Sequence, residues 1–163
     1  MKKINQNIVA FFTHLSALLQ YAFPFFSIIV PLIIWSTAEK KLIVRRHAAE
    51  VFNFQVSILI YTLILAGLAI PFLIYGFGSF FTWDEFMAGA DVNFANYSQA
   101  IAPLTFGFIF IGLLFLAKAA EFFLIIYGAV TASRGGFFNY PLSIKFIKST
   151  EIANLDGEII PTH

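Results

Sequence analysis

The residues able to do chemistry are gathered in and just ahead of one apolar run. His47, Glu50, Asn53, Ser57 and Tyr61 fall within a sector about 120° wide on a helix turning about 100° per residue. Gln55 lies on another face with Thr62. Polar groups that enter a bilayer are costly and are usually kept for a reason. Three readings of the stripe stand. It is a seam that cements helices, where each hydrogen bond contributes about 0.6 kcal/mol on average. It is a path for a solute or a peptide. Or it is a metal or catalytic site, for which His47 and Glu50 have a usable i, i+3 spacing but no evident third ligand.

Two further places carry polar groups inside apolar sequence. His14 needs a partner there, which Ser16, Gln20 or the Asn53 stripe could supply. It reads as a packing histidine or as a proton relay. Lys118 and Glu121 are also i, i+3, so they share a helix face and can pair. An unpaired charge in that position costs at least ~2.5–3.5 kcal/mol. The pair reads as a structural bridge, a proton-coupled site or a docking point for a partner helix.

The elements that must position these groups are membrane segments. The chain of 163 residues is 60% hydrophobic and 12% charged, with a mean hydropathy of +0.84. A soluble domain has roughly 45–50% apolar and about 25% charged residues. Ile8 to Ser36 carries no Asp, Glu, Lys or Arg, which is longer than the h-region of a signal peptide. Pro24 and Pro31 interrupt it, and a proline breaks the helical ladder. A single kinked span or a hairpin of two short segments would fit. The basic loop of Lys40, Lys41, Arg45 and Arg46 belongs on the cytoplasmic side. The hairpin returns the chain to that side and puts Lys2 and Lys3 there too. Arg134, Lys145 and Lys148 then fall on the same side, so Lys118 alone of the ten Lys and Arg lies within a span.

The expected fold is therefore an all-α integral membrane protein with four membrane helices, at about 8–23, 26–36, 48–75 and 102–133. The first two form a short Pro-broken hairpin, and both termini are cytoplasmic. Residues 1–148 form one membrane domain and 149–163 a polar cytoplasmic tail. The third helix ends before Gly76, and the last ends at Gly135-Gly136, where the glycines suit a C-terminal cap. Residues 76–100 form a non-cytoplasmic loop with Asp84, Glu85 and Asp91. It holds a short helix from Trp83 to Ala88, and Trp83 and Tyr97 act as interfacial anchors. Gly107 and Gly112 are not spaced as GxxxG and carry no dimerisation signal.

The classes that the sequence excludes are as useful. With no cysteine there is no disulfide, thiol nucleophile or thiolate metal site. No P-loop, dinucleotide fingerprint or serine-nucleophile pattern occurs. The chain reads as a protein that is not an enzyme, with no catalytic residue, cofactor or metal. Its basic residues suit anionic lipid, not nucleic acid.

One resemblance covers nearly the whole chain. His14-Leu15-Ser16-Ala17-Leu18, then Val30-Pro31 to Trp35, then His47-Ala-Ala-Glu50 with Asn53-Phe54-Gln55, then Tyr140-Pro141 to Lys145-Phe146 resemble the DUF4870 family of small bacterial membrane proteins. That family is similar to Tic20, a chloroplast import component. The resemblance implies four membrane helices, and a subunit or scaffold in protein translocation or envelope assembly. The acidic loop and the Lys118–Glu121 pair depart from its pattern. The expected function is thus a non-enzymatic inner-membrane subunit of a bacterial membrane complex, partnered by the bilayer and by other membrane proteins or itself. The alternative is a channel or transporter lined by the polar stripe.

Overall fold

A computed structural model describes residues 2–23, 25–38, 41–79, 87–89 and 97–148. The acidic loop residues Asp84, Glu85 and Asp91, the Trp83 anchor and most of the expected Trp83–Ala88 helix lie outside these residues, as does the tail 149–163. The described residues are all-helical and contain no strand: α1 Lys2–Leu15, a 3-10 helix Ser16–Tyr21, α2 Phe26–Thr37, α3 Leu42–Gly78 and α4 Tyr97–Ser133. Helices α3 and α4, each 37 residues, are long and apolar enough to cross a membrane. At 14 and 12 residues, α1 and α2 fall short of the ~20 that a crossing needs.

The boundaries differ from the expected ones for physical reasons. The first helix starts at Lys2 instead of Ile8 and tightens into the 3-10 form at Ser16. Helix α3 starts at Leu42 and takes Arg45 and Arg46 into its first turns. Their guanidinium groups are accommodated by stacking, 4.8 Å from the Trp35 ring centre and 4.1 Å from that of Phe137. Helix α3 also runs through Pro71 and past Gly76, where it was expected to end, and Gly76 is instead a place of close approach to Leu104. The end of α4 does follow the glycine rule. Gly135 has φ +80°, Gly136 N–H donates to the Thr131 carbonyl and Gly135 N–H to that of Ala132, the bond pair of a Schellman cap.

The chain divides into two compact units. The first, Met1–Leu59 with Ala120–His163, has a core of Ala17, Val51, Phe54, Ile125 and Tyr140. Inside α2, Pro31, which has no N–H to give to the helical ladder, and Ser27 are both buried. The second unit, Ile60–Ala119, pairs the later part of α3 with the earlier part of α4. Each part carries Leu-x-x-Gly: Leu73 to Gly76, and Leu104 to Gly107. A Cβ on Gly76 would meet Leu104 Cγ at 2.6 Å, and one on Gly107 would meet Leu73 Cδ2 at 2.7 Å. The motifs are reciprocal, each glycine receiving the other helix's leucine. Phe72 packs against Phe106 and Phe110 on the same antiparallel register.

Candidate functional site

His14, His47, Glu50, Asn53 and Ser57, of the expected site residues, meet partners in the polar interior of the first unit. Leading from α1, His14 Nε2 lies 2.9 Å from His47 Nδ1, and His14 Nδ1 lies 2.7 Å from the Tyr140 hydroxyl. Both histidines are buried. His47 stacks on Phe137 at 4.8 Å, and Tyr140 on Phe54 at 4.1 Å. A neutral imidazole is a donor at one nitrogen and an acceptor at the other. A chain running from the Tyr140 hydroxyl through His14 to His47 satisfies each group without placing a charge. Burial raises the Tyr140 phenol above its ordinary value of 10.0, and the Glu50 and Glu121 carboxylates push the same way.

One turn further along α3 the stripe receives a peptide, not a helix. After its Schellman cap the chain turns at Pro141-Leu142 and lays Ile144–Lys148 on α3. Asn53 Nδ2 donates to the Ile147 carbonyl at 2.8 Å, and Ile147 N–H donates to Asn53 Oδ1 at 2.9 Å. The carboxamide thus reads one peptide unit from both ends. Ile144 N–H donates to Ser57 Oγ at 2.8 Å, and that hydroxyl donates to the Asn53 carbonyl at 2.7 Å. Lys145 pairs with the buried Glu50 carboxylate. This strap is a seam, but one between a helix and an extended segment.

The other site residues are placed as follows. Glu121 is fully buried and accepts from Gln20 Nε2 at 2.7 Å. Lys118 is half-buried and belongs to the second unit, as does the half-buried Tyr61. Gln55 is buried, and its Nε2 has no hydrogen-bond partner among the described residues. No cluster of three or more His, Asp or Glu able to hold a metal occurs among the described residues. The polar stripe does supply one partner of His14, in His47; sequence reasoning did not find its other partner, Tyr140, or the Lys145 that pairs with Glu50. Ser16 bonds to the Thr13 carbonyl and Gln20 to Glu121, so neither serves His14. The signal available was Tyr140 and Lys145 placed soon after a glycine cap.

Comparison with known proteins corrects the resemblance drawn from the motifs. No curated protein matches the chain, and no solved structure does. Residues 5–147 match the magnetosome magnetite crystal formation protein family, MamF/MmsF, not DUF4870 or a Tic20-like family. The motif residues explain the misreading. His14, His47, Glu50, Asn53, Tyr140 and Lys145 are the bonded network of the first unit. Such residues report how helices are tied together, and architecture does not carry function with it. The expectation of a role in protein translocation rested on that resemblance and loses its basis. Matched over most of its length, the chain belongs to the magnetosome magnetite crystal formation protein family, and so to the membrane proteins involved in magnetosome formation.

Proposed function

We propose that the chain serves magnetosome formation as a non-enzymatic, multi-pass subunit of the bacterial inner membrane. It acts by packing against other membrane proteins or further copies of itself. Both termini face the cytoplasm, the side to which the positive-inside rule assigns Lys41, Arg45, Arg46, Arg134, Lys145 and Lys148.

The observation that carries this reading is that the chemistry-bearing groups of the first unit are bonded to one another. His14 bonds to both His47 and Tyr140. The Glu50, Asn53 and Ser57 stripe is covered by the chain's own Lys145, Ile147 and Ile144. A catalytic base needs hydrogen-bond reach to a substrate proton, and a conduction path needs open polar lining. The strap stands against both. What the molecule offers to its surroundings is apolar: Phe12, Phe115, Phe122, Phe123 and Tyr127 are exposed.

The test is purification of the tagged protein from native membranes in mild detergent. A stoichiometric complex is expected, with another membrane protein or of the chain with itself. A protein that runs as a lone monomer, and that gives an ion flux in liposomes altered by Glu50→Gln, would overturn the proposal in favour of the channel.

A further inference from the structure

The 3-10 helix and α2 form two legs, and the Phe26 N–H at the start of α2 donates to the Phe23 carbonyl just beyond the 3-10 helix. Helix α2 packs on the 3-10 helix more than on α1. An indole stacked under a cation assigns the boundary of this hairpin. Trp35, near the end of α2, lies under the Arg45 guanidinium at 4.8 Å. Indoles and snorkelling cations are the groups that settle at the bilayer boundary.

Depth follows from each leg separately. From Trp35 back to Phe26, α2 rises about 14 Å. On the other leg, His14 is bonded to His47, the neighbour of Arg46, so it shares that basic level. From His14 to Tyr21, through the Ser16–Tyr21 helix, the chain rises about 13 Å, at ~1.5 Å per residue to Ser16 and ~2 Å per residue beyond it. The two estimates agree, and each is roughly half of the ~30 Å hydrocarbon core.

The surface of the hairpin matches its setting. No charged residue occurs from Ser16 to Thr37. Phe23 is 60% and Phe25 68% exposed, with Tyr21, Phe26, Ile29 and Ile33 exposed beside them. Gln20, the long polar side chain of the first leg, is turned to Glu121.

We infer that this hairpin is re-entrant. It enters one leaflet from the basic side, turns near the midplane at Phe23 to Phe26, and leaves on the side where it entered. Its apolar flanks are covered by the acyl chains of that leaflet alone. Volume added to a single leaflet acts as a wedge, and insertions of this kind are sensitive to curvature. The protein therefore favours bilayers in which the leaflet next to Lys41 and Arg45 is convex.

The chain has no cysteine, so single substitutions report cleanly. Lys41→Cys and Phe25→Cys are compared in sealed vesicles of both orientations, using a membrane-impermeant maleimide. Lys41→Cys should label from one side only. Phe25→Cys should label from neither until detergent is added. A fluorophore on Phe25→Cys should be quenched more by spin labels deep in the acyl chains than by those at the headgroup. Labelling of Phe25→Cys from the side opposite Lys41→Cys means a spanning hairpin. Labelling from the same side means a surface hairpin, and either overturns the proposal. An unchanged melting temperature for Phe25→Cys ensures that the folded protein is read. The wedge is tested by reconstitution into mixed small and large vesicles with the Lys41 side outward. A higher protein density on the small ones is expected, and equal density overturns the wedge.

Discussion

The two units hold their helices together by opposite means. In the first, the interior is polar: His14, His47, Glu50, Asn53 and Glu121 are buried among apolar neighbours and bonded across the fold. In the second, the interior is made by absence of side chain, with Gly76 receiving Leu104 and Gly107 receiving Leu73. Lipid is as apolar as leucine, so neither unit gains much from burying hydrocarbon, and both fall back on close packing or hydrogen bonds. The difference lies in tolerance. A leucine in a glycine notch can shift by a few tenths of an ångström. A buried histidine that loses its partner leaves a polar group unpaired, at about 1–3 kcal/mol for each group. Substitutions inside the first unit are therefore expected to cost more than those in the glycine notches of the second.

The sharpest way to break this comparison is His14→Ala. It leaves a cavity and strands both the Tyr140 hydroxyl and His47 Nδ1. A loss of about 4 kcal/mol is expected, read as a collapse of the melting temperature in detergent. A change as small as that of an exposed substitution would show that the network does not hold the first unit.

Three glycines test the two units against each other. A methyl on Gly128 would sit 2.8 Å from the Tyr140 hydroxyl and 3.0 Å from His14 Nδ1, atoms already held to each other at 2.7 Å. Gly128→Ala should destabilise by about 2–3 kcal/mol. Gly76→Ala meets a leucine side chain that can turn aside, though the Leu104 backbone nitrogen is 3.1 Å away, and should lose about 1 kcal/mol. Gly112 faces open space, so Gly112→Ala should gain up to about 1 kcal/mol of helix propensity. Equal losses at Gly128 and Gly76 would erase the distinction between the units.

The sequence carried the all-helical character and the two long apolar helices, because sustained apolar runs are a local signal. It carried the partners of the polar groups poorly because these come from far away and, in part, from the backbone. Asn53 bonds to the amide and carbonyl of Ile147, groups that every residue has and that no side-chain pattern announces. His14 finds His47 and Tyr140, separated from it by 33 and 126 positions, while the nearby Ser16 and Gln20 are engaged elsewhere. The notches at Gly76 and Gly107 become visible only once the antiparallel register pairs each with a leucine. Gly135-Gly136 was legible because a cap is a local device. The short first helices were harder to place: an uncharged run says that lipid is near, but not how far the chain goes in.

A pH titration sharpens the account of the first unit. With its folded value raised above 10.0, Tyr140 holds its proton in the folded chain at pH values where the unfolded chain has released it. Its contribution is thus fully present below about pH 10 and falls as the pH rises further. Tyr140→Phe should lose about 1 kcal/mol at neutral pH for the missing bond. It should also flatten the decline above pH 10. A melting temperature that falls equally steeply in Tyr140→Phe would assign the alkaline loss to another group.

The smallest effect concerns the turn that delivers the strap. Leu142 has φ +59° and is 83% exposed, so its side chain contributes little while its backbone is strained by roughly 1–2 kcal/mol. Leu142→Gly removes the strain but adds freedom to the unfolded chain, worth about 0.5–1 kcal/mol. The net expectation is a gain of about 0.5 kcal/mol, seen as a slightly higher melting temperature. Gly135, at φ +80°, is the mirror of this case. There Gly135→Ala adds strain, and its methyl would lie 3.0 Å from Asn7 Nδ2, so it should lower the melting temperature. If both changes moved stability the same way, the positive φ at Leu142 would not be a cost that the turn bears in order to bring Ile144 and Ile147 onto Ser57 and Asn53.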